Sequence, residues 1–158
     1  IVEPANYNCP DQIVISGHVP AVEKACEIAN NIGAKRTIKL SVSGPFHSSL
    51  LKPAGEALRA ELSKVQVYKP TIPVISNVYA KPEEEPGEII ENLVLQVSHP
   101  VRWEESVKYM IEQGIDTFVE VGPGRTLNGF LRKISKDVKG YYVQDMKSLE
   151  QTIKALEG

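Results

Sequence analysis

Leu40-Ser41-Val42-Ser43-Gly44-Pro45-Phe46-His47-Ser48-Ser49-Leu50-Leu51-Lys52-Pro53-Ala54 changes its periodicity in the middle. A β-branched, alternating run from Arg36 to Val42 reads as a strand, and Gly44-Pro45 breaks it. Beyond the break, Leu51, Ala54, Leu58, Leu62 and Val65 recur at helical spacing, with Pro53 early enough to sit in the first turn. His47 therefore falls at a strand-to-helix junction. Such a bend holds a side chain firmly while leaving it open to a cleft, which suits a group that moves protons. On local pattern alone, a turn histidine capping the next helix is the simpler reading.

Upstream, Val2 to Asn8 reads as a strand, Asn8-Cys9-Pro10-Asp11 as a turn and Gln12 to Ser16 as a second strand, together a hairpin. Pro20 marks a helix start, with His18 just before it. Val22, Ala25, Cys26, Ala29 and Ile32 keep helical spacing until Gly33. Strand, strand, helix, strand is four of the six elements of a split β-α-β-β-α-β unit whose opening strand and helix are missing from the 158 residues. Downstream, Thr71 to Ser76 reads as a short strand continued by Asn77-Val78-Tyr79-Ala80. Lys81-Pro82-Glu83-Glu84-Glu85-Pro86-Gly87 is a charged loop without the histidine or second acidic cluster that a metal site needs. Ile89, Ile90, Leu93, Val94 and Val97 form one helical stripe, and Trp103, Val107, Met110 and Ile111 another. Thr117 to Val121 is a strand that runs through Gly122-Pro123-Gly124 into a helix carrying Leu127, Phe130, Leu131 and Ile134. Tyr141 to Gln144 is a last short strand, and Ser148 with Gln151 reads as the capping box of a closing helix. Strands alternating with helices from residue 71 onward predict a mainly parallel, helix-covered sheet.

The bulk properties exclude several classes. A hydrophobic share of 42 % is enough for a sizeable core. A net charge of −2 provides no basic field for nucleic acid. No apolar run approaches the ~20 residues that span a membrane, and nothing after Ile1 resembles a signal peptide. The chain is therefore expected to be a truncated, cytoplasmic protein. Cys9 and Cys26 have neither metal-type nor redox-type spacing.

Nucleophilic acyl transfer needs an activated hydroxyl or thiol, a base, and donors for the oxyanion. His47 can be the base. No Gly-x-Ser-x-Gly elbow occurs in the chain, and Ser41, Ser43, Ser48 and Ser49 lie too close to His47 in sequence to be its nucleophile. Asn6 and Asn8 alternate on one strand, a spacing that puts both amides on one face, where they bind a ligand or merely serve the hairpin turn. Gly122-Pro123-Gly124 reads as a structural turn, because no lysine follows in a phosphate-loop frame.

Four segments, in order, resemble the malonyl-CoA:acyl carrier protein transacylases. They are Asn6–Gly17, Ser43–Ala54 around His47, Gln96-Val97-Ser98-His99-Pro100-Val101-Arg102-Trp103, and Glu120-Val121-Gly122-Pro123-Gly124. The resemblance implies a hydrolase-like α/β core with an inserted ferredoxin-like subdomain, residues 1–43 being part of the insertion and 44–158 part of the core. It implies that His47 is the base, that the main-chain carbonyl of Gln96 orients it, and that the serine lies on a missing N-terminal half. Asn8, with Asn6, is implied near the coenzyme A arm, and Phe46 as a wall of the acyl pocket. The arginine that pairs with the malonyl carboxylate is also implied to lie outside the chain, so Arg36, Arg102 and Arg125 are not candidates. Malonyl-CoA and acyl carrier protein are the implied partners, with no metal and no permanently bound cofactor. Lys35, Arg36, Lys39, Arg132 and Lys133 are candidate docking charges for an acidic carrier. His99 is not the residue the resemblance leads one to expect at its position, and partial exposure is predicted for it. A polyketide acyltransferase domain and a non-catalytic carrier-binding fragment are the alternatives.

Overall fold

The hairpin forms as its turn chemistry dictates. In the computed structural model, which describes residues 1–158, β1 (Val2–Cys9) and β2 (Gln12–Gly17) pair antiparallel through Pro10-Asp11, with Asp11 at φ 64°. Aspartate tolerates that left-handed turn position better than most residues. The β1 register shifts between Pro4 and Asn6 and again between Tyr7 and Cys9. Helix α1 (Val19–Asn31) starts at His18 with proline in its first turn, and Gly33 follows it at φ 100°.

Here the structure departs from the expected fourth element. Residues 36–42 form no strand, and Ile38, Leu40 and Val42 are all exposed. A strand is defined by its ladder, and these residues have no neighbour to pair with, whatever their β-propensity. The chain then bends through His47, makes a 3₁₀ turn at Ser49–Leu51 and enters α2 (Lys52–Leu62).

The strand expected over 71–76 shrinks to β3 (Val74–Ile75). Prolines at 70 and 73 remove ladder donors around it. Residues 77–80 turn back instead of continuing, with Ala80 at φ 55° and its N–H bonded to the Ser76 carbonyl at 2.9 Å. The returning arm, β4 (Pro82–Glu83), pairs antiparallel with β3 inside the stretch read as a charged loop. Three helix-bearing units follow: α3 (Pro86–Gln96) and α4 (Trp103–Glu112), then β5 (Thr117–Val121) with α5 (Thr126–Ile134), then β6 (Lys139–Val143) with α6 (Met146–Glu157). The cap of α6 lies three residues earlier than expected. Asp145 is the N-cap and Ser148 its reciprocal partner, the two forming the capping box.

Helix and sheet are mixed, but these residues do not build one mainly parallel sheet. They form three two-stranded sheets, of which only β5–β6 is parallel. A single parallel bridge between Asn6 and Val101 ties β1 to the segment after α3. The buried apolar residues Ala5, Cys9, Val107 and Leu131 come from β1, α4 and α5, which pack on one another, while Val94 of α3 lies against Gly55 of α2, and Val78 and Ala80 are buried in the turn after β3.

Candidate active site

Helix α3 ends at Gln96, where the last carbonyls of any α-helix lack intrahelical partners. The Leu95 carbonyl accepts the Ser98 N–H at 3.1 Å and His99 Nδ1 at 2.7 Å. The Gln96 carbonyl takes His47 Nδ1 at 2.9 Å, across 49 positions of sequence. A carbonyl can only accept, so Nδ1 carries the hydrogen and, in the neutral ring, Nε2 keeps its lone pair. That tautomer is the one a general base requires.

His47 itself sits at φ 58°. A left-handed non-glycine residue costs of order 1–2 kcal/mol and persists only when its surroundings fix it. Three contacts do so besides the ring. The buried Ser48 donates its Oγ–H to the Pro45 carbonyl at 2.6 Å. The Leu51 N–H donates to the Ser48 carbonyl at 3.0 Å. The Ser49 N–H and Oγ–H both donate to the Glu3 carboxylate, at 2.6 and 2.9 Å. These donors, the backbone N–H first, hold the Glu3 carboxyl below the usual carboxylate range. Sequence reasoning missed Glu3, since a glutamate at the start of a strand carries no signal that it reaches residue 49.

Phe46 is exposed beside His47, with its ring against Gly44. Asn6 and Asn8 are half-buried on β1, whose neighbouring backbone is bonded to Val101: Tyr7 N–H to Val101 O and Val101 N–H to Ala5 O, both 2.9 Å. Strand β1 thus touches the His47 loop at Glu3 and the segment following Gln96 at Ala5 and Tyr7. The register shift between Tyr7 and Cys9 leaves Asn8 outside the ladder, so strict alternation does not carry from Asn6 to Asn8.

Other candidates are accounted for by their neighbours. Arg102 is paired with Glu105, and the Arg125 guanidinium stacks 3.7 Å from the centre of the Tyr142 ring. Gly122 and Gly124 donate their N–H groups to Val143 O and Gln144 Oε1, so the turn spends these amides within the chain. Burial pushes the Glu120 carboxyl up, but Asn128 and Leu127 donate to it strongly enough to hold it below the usual range. Among the docking charges Lys39 pairs with Glu23, while Lys35, Arg36 and Arg132 are exposed. His99 is half-buried. No three His, Cys, Asp or Glu side chains converge as a metal-binding group. A cavity of about 570 Å³ between the β3–β4 turn, α3 and α4 is lined by Asn92, Arg102, Lys108 and Tyr109 and does not include His47.

Residues 1–152 match the family described as "Acyl transferase domain". A malonyl CoA-acyl carrier protein transacylase from Bacillus subtilis (strain 168) is 46% identical over 157 residues, covering 99% of this chain and 50% of the relative. The crystal structure of a malonyl CoA-acyl carrier protein transacylase from Clostridium perfringens superposes with a TM-score of 0.95 at 50% identity, over 99% of this chain and 49% of that one. A malonyl-transacylase solved in complex with a type II polyketide acyl-carrier protein has a TM-score of 0.95 at 39% identity, with 98% and 50% covered. The chain spans about half the length of the relatives it matches. No helix is long and apolar enough to cross a membrane.

Proposed function

The chain belongs to the acyl transferase domain family, and from that premise we propose that it supplies the base of a malonyl-CoA:acyl carrier protein transacylase. The observation that carries this reading is the 2.9 Å contact of His47 Nδ1 with the Gln96 carbonyl, which leaves Nε2 to receive a proton. The nucleophilic serine belongs to the part of such an enzyme that the 158 residues do not span. Its hydroxyl attacks the malonyl thioester as Nε2 takes the proton. The tetrahedral intermediate collapses, the C–S bond breaks, and the proton passes to the coenzyme A thiolate. The carrier's phosphopantetheine thiol then gives its proton to Nε2 and attacks the malonyl-serine ester. Breakage of the C–O bond returns that proton to the serine oxygen.

In this reading Asn8 and Asn6 lie along the coenzyme A arm, and Phe46 walls the acyl pocket from its exposed position beside the base. Residues 1–43 are part of a ferredoxin-like subdomain and 44–158 part of a hydrolase-like core. The exposed 36–42 segment then waits for a neighbouring strand from outside the chain, and the protein works in the cytoplasm. The test is His47→Ala in the complete enzyme. Loss of a general base costs 10²–10⁴-fold in rate, so a drop of about 10³-fold in malonyl transfer is expected, with the thermal midpoint unchanged. Turnover near that of the parent would refute the base assignment.

A further inference from the structure

Ser48 is the N-cap of the 3₁₀ turn that leads into α2, yet its hydroxyl is spent on the Pro45 carbonyl and caps nothing. The first amide of that turn, Ser49 N–H, would otherwise be an orphan donor at a helix start. It is capped from another element, by Glu3 on β1, which also accepts the Ser49 hydroxyl. We infer that Glu3 is a positioning residue for catalysis, fixing the backbone two residues after His47 so that its imidazole stays on the Gln96 carbonyl.

His47 is left-handed at φ 58° and strained, so its ring direction depends on both flanks of the bend being fixed. Upstream the bend is held locally by Ser48 on Pro45, a contact that spans three residues. Downstream the long-range tie is the double bond from Ser49 to Glu3, which spans 46 residues. The same strand continues through Ala5 and Tyr7 to Val101, five residues beyond Gln96. β1 is thereby a strut between the loop that carries the base and the segment that orients it. A charge-assisted pair of bonds is about twice as strong as neutral ones, which suits a strut holding a strained residue. A misplacement of about 1 Å at the base is enough to slow chemistry strongly without altering substrate binding.

The inference rests on His47 being the base, so the test runs His47→Ala beside Glu3→Ala, Glu3→Gln, Ser49→Ala and the Glu3→Ala/Ser49→Ala double variant, all in the complete enzyme. Folded enzyme is quantified by circular dichroism and rates are expressed per folded molecule. Glu3→Ala is expected to lower kcat about tenfold, with KM for malonyl-CoA within about twofold of the parent. Glu3→Gln keeps one acceptor for the Ser49 N–H and should recover most of that loss. The double variant should be no slower than Glu3→Ala, because Ser49 and Glu3 act as one contact. If Glu3→Ala does not fold, the Glu3→Gln and Ser49→Ala kcat values carry the test, each expected below the parent at unchanged KM. Unchanged kcat, a Glu3→Gln variant as slow as Glu3→Ala, or a loss residing in KM overturns the positioning role. Should His47→Ala stay active, the base assignment itself falls; should it be dead while the Glu3 variants are normal, only the present inference falls.

Discussion

A base held by a peptide carbonyl differs from one held by a carboxylate. The carbonyl fixes the tautomer and direction of the ring as well as an anion does, but stabilises an imidazolium less, so a base held in this way gives its proton up more readily. At His47 the carbonyl that holds the ring is the last of an eleven-residue helix. Nitrogen-15 NMR of the imidazole at a pH where the ring is neutral should show the Nδ1–H tautomer, with Nε2 resonating as an unprotonated nitrogen; a dominant Nε2–H form would remove the lone pair from the side where a base needs it. How legible this was differs between partners. His47 stood out in sequence as a histidine at a bend, and its link to Gln96 was readable only through resemblance, since a separation of 49 positions leaves no spacing signal. The Glu3–Ser49 contact left no trace at all, as any surface glutamate could have occupied position 3.

Helix α3 is the element that links the packing of the helices to the His47 ring. It is fastened to α2 by the forked Arg59–Glu91 pair and, at closer range, by Gly55, where an added Cβ would lie 3.1 Å from the Val94 carbonyl. The ion pair is largely exposed, so solvent screens it and it contributes little. The glycine contact is less forgiving. Gly55→Val should destabilise the complete enzyme by about 1–3 kcal/mol through overpacking against backbone. It should also slow malonyl transfer beyond the loss of folded protein, since Val94 lies two residues before the carbonyl that holds His47. Denaturant unfolding and kcat measured on the same preparation check both effects, and an unperturbed kcat per folded molecule would detach the helix contact from the site. Helices were the legible elements because a 3.6-residue stripe is local: α1, α2, α3, α4 and α5 lie where periodicity put them. Strands were legible only where a partner lies in the chain. Residues 36–42 have the composition of a strand and no ladder, whereas Pro82–Glu83 has neither alternation nor β-branching and pairs because the turn at 77–80 folds it back on β3.

For the molecule as a whole, surface area is the most informative quantity. A folded monomer of 17.4 kDa exposes about 7,900 Å², and this chain exposes 10730 Å². Only 16 of its 158 residues are buried, while Val119 and Val121 of β5 stand in solvent with Ile38, Leu40 and Val42. The excess of roughly 2,800 Å² on one side of an interface falls in the range of obligate contacts, which are apolar and not dispensable. On the function proposed above, its occupant is the other half of the length that the relatives have and these residues do not span. The 158 residues alone should therefore bind the dye ANS and self-associate in gel filtration, and incubation with malonyl-CoA should leave their intact mass unchanged. On the proposed function, adding the complementary half should suppress the dye signal and restore an acyl adduct, because nucleophile and base would then share one cleft. An isolated chain that is monomeric and dye-silent would show that the open face is stable in water. A malonyl adduct on that chain would place the nucleophile among Ser41, Ser43, Ser48, Ser49 and the other hydroxyls present, and the division of labour between base and serine would have to be redrawn.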